Sequence, residues 1–297
     1  MAAMVMTSEE VAHFEECYDA FAARERAIET FSDWTKAKFH DAVTTKLAFD
    51  GLNKDETNCS KQFRVLGIGS GSGEVDYMFL EQLVKKYSNI SHISLERSDE
   101  NIALFKSLVA RGTIKGVTWE WKQIMWDHYW FGMVKSKDPR KFHFIHTVHN
   151  LIYIKDVAAA IMNMYELLAE GGVLLMIVVS EQSGTYNLRK KFPDLVDKDG
   201  LSNVSSAEII EILQTHDIPF ERIKQQSRVD ITTCFQKGRK EGALLIDHLS
   251  RTMNFLKTAS PRLVNDFMGY LKGPDCVEKE QQNILFVNDW EAIIVTK

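Results

Sequence analysis

A strand-like run, a set of glycines and an acid follow one another in RVLGIGSGSGEVDYMFL, residues 64–80. Gly69, Gly71 and Gly73 are spaced GxGxG, with Gly67 just ahead of them. Glycine tolerates positive φ and has no Cβ to block a ligand that approaches the backbone. A turn of this kind between a strand and a helix lies at the carboxyl end of the strand, where open α/β sheets bind ligands. A dinucleotide fingerprint, GxGxxG, would set a pyrophosphate on the helix N-terminus. Here the third glycine comes one residue early and Glu74 follows at once. A carboxylate there repels a pyrophosphate and favours the ammonium of a methionine moiety. It serves equally as a first-turn acid complementing the helix dipole, and the sequence leaves both readings open. Glu96 ends the next strand-like run, 23 positions beyond Gly73. An acid about 20 residues after the glycine loop accepts hydrogen bonds from ribose hydroxyls. The ligand so described carries an adenosine. S-adenosylmethionine (SAM) and NAD both qualify, although the early third glycine weighs against an NAD oxidoreductase.

His143, His146 and His149 are spaced by three and invite a metal reading. On a strand His143 and His146 point to opposite faces, and no other histidine–carboxylate set shows ligand spacing, so no metal is expected. His149, just past the strand's carboxyl end, stands where open-sheet sites lie and is a candidate to touch a substrate.

These residues need a scaffold. Residues 8–47 read as helical, with Phe14, Tyr18 and Phe21 on one face as a packing stripe. Residues 51–61 (GLNKDETNCSK) read as a loop. Strands are expected at 63–68, 92–95, 117–121, 142–146 and 173–179, and helices at 74–87, 99–110 and 156–169, with Gly171-Gly172 stopping the last helix. This alternation argues for a parallel sheet with right-handed crossovers. Ser205-Ser206-Ala207-Glu208 reads as a capping box. ILFVNDWEAIIV reads as two short strands about an Asn-Asp turn, a terminal hairpin that closes the sheet edge.

The chain has 297 residues, 45% of them apolar, which suffices for a substantial core. A net charge of −5 gives no reason to expect a nucleic-acid partner. No dense basic tract suggests an anionic membrane surface. The longest apolar run, 173–179, is too short to span a bilayer, and the opening MAAMVMTSEEVAHFEE turns acidic before a secretory apolar run develops. Cys17, Cys59, Cys234 and Cys276 are scattered without a CxxC pair, so neither a disulfide framework nor a zinc ribbon is expected. A cytoplasmic monomer is the resulting expectation.

GIGSGSGE, Glu96, FHFIH and ELLAEGGVLLMIVV resemble SAM methyltransferases of the Rossmann-like class. IGSGSGEVD, HFIH, LIYIKD, IVVS, QSG, the stretch around Met253-Asn254-Phe255 and ILFVND are similar, in order and spacing, to the histamine N-methyltransferase family. The resemblance implies an α/β fold: a doubly wound, mostly parallel seven-stranded sheet with an N-terminal helical segment and a C-terminal substrate-binding insertion. It implies one methyltransferase domain over 1–297, made of a helical cap (1–50), a cofactor-binding core (62–182) and a substrate-side segment (183–297).

For the cofactor, SAM, the resemblance implies contacts from Gly69, Gly71, Gly73, Glu74 and Glu96. Asn101 falls where the family has a glutamine, Val148 at a contact to the adenosyl region, and Trp126 where the family has a serine near the adenine. The aromatic surroundings of Trp126 read equally as a packed cover over the sheet edge. For the acceptor, Asn288 aligns with a family asparagine that contacts the amine, and Tyr153, Phe255 and Tyr18 fall near aromatic positions of the binding cavity. The family's N-terminal glutamate falls on Ala27 in an ungapped register, with Glu25 and Glu29 flanking it. His149 stands in place of a glutamine, and Thr185 and Arg189 in place of tryptophans. The implied reaction is methyl transfer to nitrogen of a small imidazole or amine, histamine or a more anionic relative such as carnosine. A methyltransferase for another small amine and a catalytically silent SAM-binding protein are the alternatives. No residue is assigned as a catalytic base; His149 and Tyr153 are the candidates.

Overall fold

In a computed structural model, the described residues are 8–49, 62–138, 140–196 and 202–297. The 51–61 loop and Cys59 lie outside them. In chain order the elements are α1 (Ser8–Glu25), α2 (Ala27–Phe39), β1 (Phe63–Ile68), α3 (Glu74–Leu83), β2 (Ile90–Glu96), α4 (Asp99–Arg111), β3 (Val117–Gln123), α5 (Trp126–Ser136), β4 (Phe142–Val148), α6 (Val157–Leu167) and β5 (Leu168–Val179). There follow α7 (Gly184–Lys191), α8 (Pro193–Val196), α9 (Ser206–Thr215), β6 (Phe220–Gln225), β7 (Arg228–Asp230), α10 (Lys240–Ser250), α11 (Phe255–Thr258), α12 (Pro261–Leu271), β8 (Val277–Glu280), β9 (Asn283–Val287) and β10 (Trp290–Thr296).

Among the described residues a seven-stranded sheet has the order β3-β2-β1-β4-β5-β10-β6. Its pairs β2/β3, β1/β2, β1/β4 and β4/β5 are parallel. The chain starts in the middle, at β1, winds outward to β3, then returns to β4 on the other side. That reversal creates a switch point at the carboxyl ends of β1 and β4, the place where such sheets bind ligands. β5 is buried along Val173–Ile177 because a parallel central strand is covered on both faces, which is why its sequence is an unbroken apolar run. The sequence places the first four of these strands to within two residues of their observed ends, and β5 begins five residues earlier than expected, at Leu168.

Three expectations are corrected. The helical stretch over 8–47 is not continuous: Arg26 takes φ 53° and separates α1 from α2. The pair Gly171-Gly172 does not stop α6, which ends at Leu167; it lies inside β5, where the register with β4 shifts between Phe142 and Phe144. The two terminal strands do not form a hairpin. β9 belongs to a separate three-stranded sheet of order β7-β9-β8, whereas β10 inserts between β5 and β6. The local pattern shows two strands and a turn but carries no information about which sheet each joins. The capping box at α9 is present: Ser205 N–H donates to the Glu208 carboxylate at 2.9 Å and Ala207 N–H to Ser205 Oγ at 3.2 Å.

The described chain packs into two compact units. The larger comprises Ile28–Ile177, Glu211–Arg222 and Ala292–Lys297. The smaller draws on Met1–Ala27, Val178–Ile210 and Ile223–Glu291. The smaller unit has its own core, with Phe21, Leu188, Val229, Ile246, Phe267 and Phe286 at its centre. The Phe14–Tyr18–Phe21 stripe is only partly a core face: Phe21 is buried, while Tyr18 is 59% exposed. Among the described residues no helix is long and apolar enough to cross a membrane.

Candidate functional site

In the larger unit the glycine turn bridges β1 and α3 and is pinned to the end of β2. Gly69 N–H and Ser70 N–H both donate to the Leu95 carbonyl, at 2.8 and 3.2 Å. Gly69 takes φ +69°, and a Cβ there would overlap the side-chain amide of Asn150 at 2.0 Å. Gly71 takes φ +55°, but a Cβ there would meet nothing within 4 Å. The two glycines therefore differ in purpose. Gly69 makes room for Asn150, and Gly71 has open space beside it.

Glu96 closes this turn. Its Oε2 accepts Gly71 N–H at 2.9 Å, and its Oε1 accepts Arg97 N–H and Ser98 N–H, each at 2.9 Å. Ser98 in turn caps α4 by accepting Asn101 N–H at 3.2 Å. Glu96 and half-buried Asn101 are thus held on one rigid junction beside the glycines. Glu74 opens α3 and accepts a hydrogen bond from Ser72 Oγ at 2.6 Å. Val148 ends β4 opposite Ile177. His149 follows with φ 50°, its N–H on the Ile177 carbonyl at 2.8 Å and its ring 5.9 Å from Phe31. Tyr153 is 44% exposed on the short turn after Asn150. Trp126 is 4% exposed and stacks on Trp130 with ring centroids 6.3 Å apart, which is the packing half of its two readings.

Behind the turn sits a buried network that the sequence did not suggest. Ser70 Oγ donates to Asp76 Oδ1 at 2.8 Å, His92 Nε2 to the same oxygen at 2.9 Å, and His146 Nε2 lies 3.5 Å from it. Burial would raise the Asp76 pKa, but His146, His92 and Ser70 outweigh it and hold the carboxyl below its usual range. Burial, opposed by Asp76, takes His146 down to about 4, so it is neutral at neutral pH. His143 goes elsewhere. Its Nδ1 accepts Arg64 N–H at 2.9 Å, and burial first, then Arg64, lowers it to about 4. The period-two alternation separates His143 from His146 as expected; the three histidines do not converge.

In the smaller unit the structure joins residues from three distant parts of the chain. Asn288 Nδ2 donates to Glu25 Oε1 at 2.7 Å, and Thr185 Oγ1 donates to Asn288 Oδ1 at 2.6 Å. Ser227 Oγ also donates to Glu25 Oε1, at 3.3 Å. The Glu25 carboxylate, an acceptor when ionised, sets the amide with its nitrogen toward Glu25, and the Thr185 hydroxyl donates to the oxygen on the other side. Burial raises the pKa of Glu25, and the hydrogen bonds from Asn288 and Ser227 oppose the rise. Phe21 stacks on His248 with centroids 4.4 Å apart, and Tyr18 stands 6.3 Å from the same ring. Burial, with the charges of Arg251 and Arg189, lowers His248 to about 3. Phe255 lies apart from these groups: it is 0% exposed and packs on Phe267, 4.9 Å away, so here it is a core residue and not a wall residue. Sequence reading missed Asn150, Asp76 and Ser227; none carries a local signal, because each is defined by what the fold sets against it.

A family described as a methyltransferase domain matches residues 20–218. The chain is 32% identical over 238 residues to histamine N-methyltransferase of Cavia porcellus, covering 79% of this chain and 82% of that one. It is 34% identical over 235 residues to histamine N-methyltransferase B of Xenopus laevis, covering 78% and 80%. Among solved structures, a putative methyltransferase from Bacillus halodurans aligns with TM-score 0.52 at 12% identity, covering 85% of this chain and 95% of that one. Loganic acid methyltransferase with SAH aligns with TM-score 0.52 at 11% identity, covering 94% and 96%. These two show the fold.

Proposed function

The chain belongs to the histamine N-methyltransferase family of SAM-dependent methyltransferases, and from that premise we propose that it methylates a nitrogen of a small imidazole or amine held by Glu25 and Asn288. The hydrogen-bond chain Thr185–Asn288–Glu25 carries this reading. It fixes a carboxylate and an amide oxygen-and-nitrogen pair side by side, the donor and acceptor set that a cationic or imidazole nitrogen requires. Glu25 fills the role that the family's N-terminal glutamate implies, two residues from the ungapped register at Ala27.

Bound SAM supplies a sulfonium methyl group, an electrophile already activated for in-line displacement. The residues of the larger unit would then bind and orient it. Glu96, preorganised by three backbone N–H groups, would accept the ribose hydroxyls. Gly71 would admit the cofactor to the backbone, Asn101 and Val148 would flank the adenosyl group, and Glu74 would face the methionyl ammonium. Imidazole, with a pKa near 6.5, presents a neutral lone pair at cytosolic pH, so positioning does most of the work, up to about 7–11 kcal/mol in favourable intramolecular cases. A hydrogen bond to the acceptor's second ring nitrogen would select its reactive tautomer, a role for which the family resemblance names His149 and Tyr153. The dispersed cysteines, three of them buried and unbonded, fit a reducing cytoplasm, and we read the enzyme as a monomer there.

Isotope-labelled SAM offered with a mixed pool of histamine, carnosine, histidine and aromatic amines tests the proposal. A methylated imidazole or amine identified by mass spectrometry supports it; turnover of none of the nitrogen acceptors overturns it. One observation favours a carboxylated acceptor such as carnosine. Arg189, on α7, stands where the family resemblance implies a tryptophan, and a guanidinium facing the acceptor suits a carboxylate. In that case Arg189→Trp shifts the kcat/KM ratio toward histamine, and an unmoved ratio excludes this second reading.

A further inference from the structure

We propose that His13, Cys17 and Asp247 form a binding site for a borderline-soft divalent cation of the zinc type, tying α1 to α10. His13 Nε2 lies 2.8 Å from Asp247 Oδ2 and 3.4 Å from Cys17 Sγ. All three ligating atoms fall within 4.8 Å of one another. His13 and Cys17 share one face of α1 at i and i+4. A thiolate, an imidazole and a carboxylate together favour zinc-like ions over magnesium or calcium, which take oxygen ligands.

Hydrogen bonding alone leaves this trio unbalanced. His13 Nε2 carries either one hydrogen or one lone pair, and it faces two neighbours. Protonated, it donates to the carboxylate and cannot also accept the thiol's hydrogen. Unprotonated, it accepts from the thiol but sets its lone pair against an anionic oxygen 2.8 Å away. A cation satisfies all three groups at once.

The spacing is close to what a tetrahedral ion needs. Ligand bonds of about 2.0–2.3 Å at tetrahedral angles put nitrogen about 3.6 Å from sulfur and about 3.4 Å from oxygen. The thiol therefore stands about 0.2 Å short of that spacing and the carboxylate about 0.6 Å short. Asp247 is also oriented from behind: Asn254 N–H donates to its Oδ2 at 2.7 Å and Phe255 N–H to its Oδ1 at 2.9 Å, as outer-shell partners commonly orient a ligating carboxylate. The His13 side chain, 17% exposed, gives an edge for entry. Asp76, His92 and His146 also converge, but that group is sealed on all sides, lacks a thiol and already accepts Ser70.

On binding, the Cys17 thiol releases its proton to solvent and its sulfur bonds the ion. His13 contributes the Nε2 lone pair with its ring proton on Nδ1, Asp247 contributes one carboxylate oxygen, and water fills the fourth position. One proton leaves and no electron changes hands. Glu25 ends the same helix, so the ion would steady the acceptor side of the enzyme without touching the chemistry.

The test is a titration of the chelator-treated full chain with Co2+. A near-ultraviolet thiolate-to-cobalt charge-transfer band that saturates at one equivalent, is bleached by Zn2+, and is lost in Cys17→Ser and His13→Ala supports the site. Zinc should also raise the Tm of the wild type and leave that of Cys17→Ser unmoved. No band in the wild type overturns the proposal, as does a band of equal strength in Cys17→Ser, which would assign the ion to another thiol. The absence of a wild-type band overturns the proposal whether or not a variant folds, and His13→Ala carries the comparison if Cys17→Ser does not fold.

Discussion

Replacing Glu25 by glutamine separates its charge from its shape. Asn288 Nδ2 and Ser227 Oγ both donate to Oε1, which leaves Oε2 for the acceptor. A glutamine keeps an amide oxygen at Oε1 and turns Oε2 into a donor. One charge-assisted hydrogen bond to the acceptor nitrogen is lost, worth about 1.5–3 kcal/mol, so kcat/KM should fall roughly 10- to 150-fold. Stability should move the other way. Burial raises the Glu25 pKa above its ordinary value, so the folded chain holds this proton more tightly than the unfolded chain does. The stability this contributes is full below the unfolded value of about 4.3 and is lost as pH rises through the folded value. At neutral pH the ionised side chain therefore costs stability, and Glu25→Gln removes that cost. Steady-state kinetics at neutral pH, paired with Tm measured from about pH 4 to 8, read both effects. The variant should melt above the wild type at neutral pH, and the gap should close toward pH 4. A kcat/KM change below about threefold, or a variant that melts lower than the wild type at every pH, refutes the reasoning.

The two glycines should respond differently. Gly71→Ala should abolish SAM binding in calorimetry while costing about 1–2 kcal/mol of stability from its positive φ, whereas Gly69→Ala, which drives a Cβ into Asn150, should lower Tm further in a melting experiment. Glu96→Ala should weaken SAM roughly 10- to 150-fold, from one lost charged hydrogen bond of about 1.5–3 kcal/mol; calorimetry that finds less than a threefold loss would show the residue acting only on its own loop. Asp76 has a depressed pKa, so the stability it contributes is present above the unfolded value of about 3.9 and is lost as pH falls through the folded one. Urea unfolding should accordingly find Asp76→Asn less stable than wild type at neutral pH, with the difference shrinking on acidification. Thr185→Val removes the donor to Asn288 Oδ1 and should raise KM for the acceptor more than it lowers kcat, with Thr185→Ser restoring it.

The sequence alone determined the parts of this protein whose cause is local. Short strand-like runs marked β1 through β5, most plainly β5, whose central stretch is buried and so is apolar throughout. The GxGxG spacing and Glu96 were legible because strand, turn and acid act within about thirty positions, and the fold then set Gly71 N–H on Glu96. The capping box at Ser205 was legible because it closes over four residues. Only the tertiary structure decided the rest. Glu25 and Asn288 meet across 263 positions, a contact that the local pattern around neither residue carries. Asp76, His92 and His146 look like unrelated polar residues until α3, β2 and β4 come together. The terminal strands share a turn but part into different sheets, since strand pairing is set by which edge is available and not by what the strand itself contains. Phe255 reads as a wall of a cavity and is packed in a core for the same reason. A side chain's local context fixes its secondary structure, but its neighbours in space come from contacts between distant segments, and those follow from burying the whole apolar surface at once.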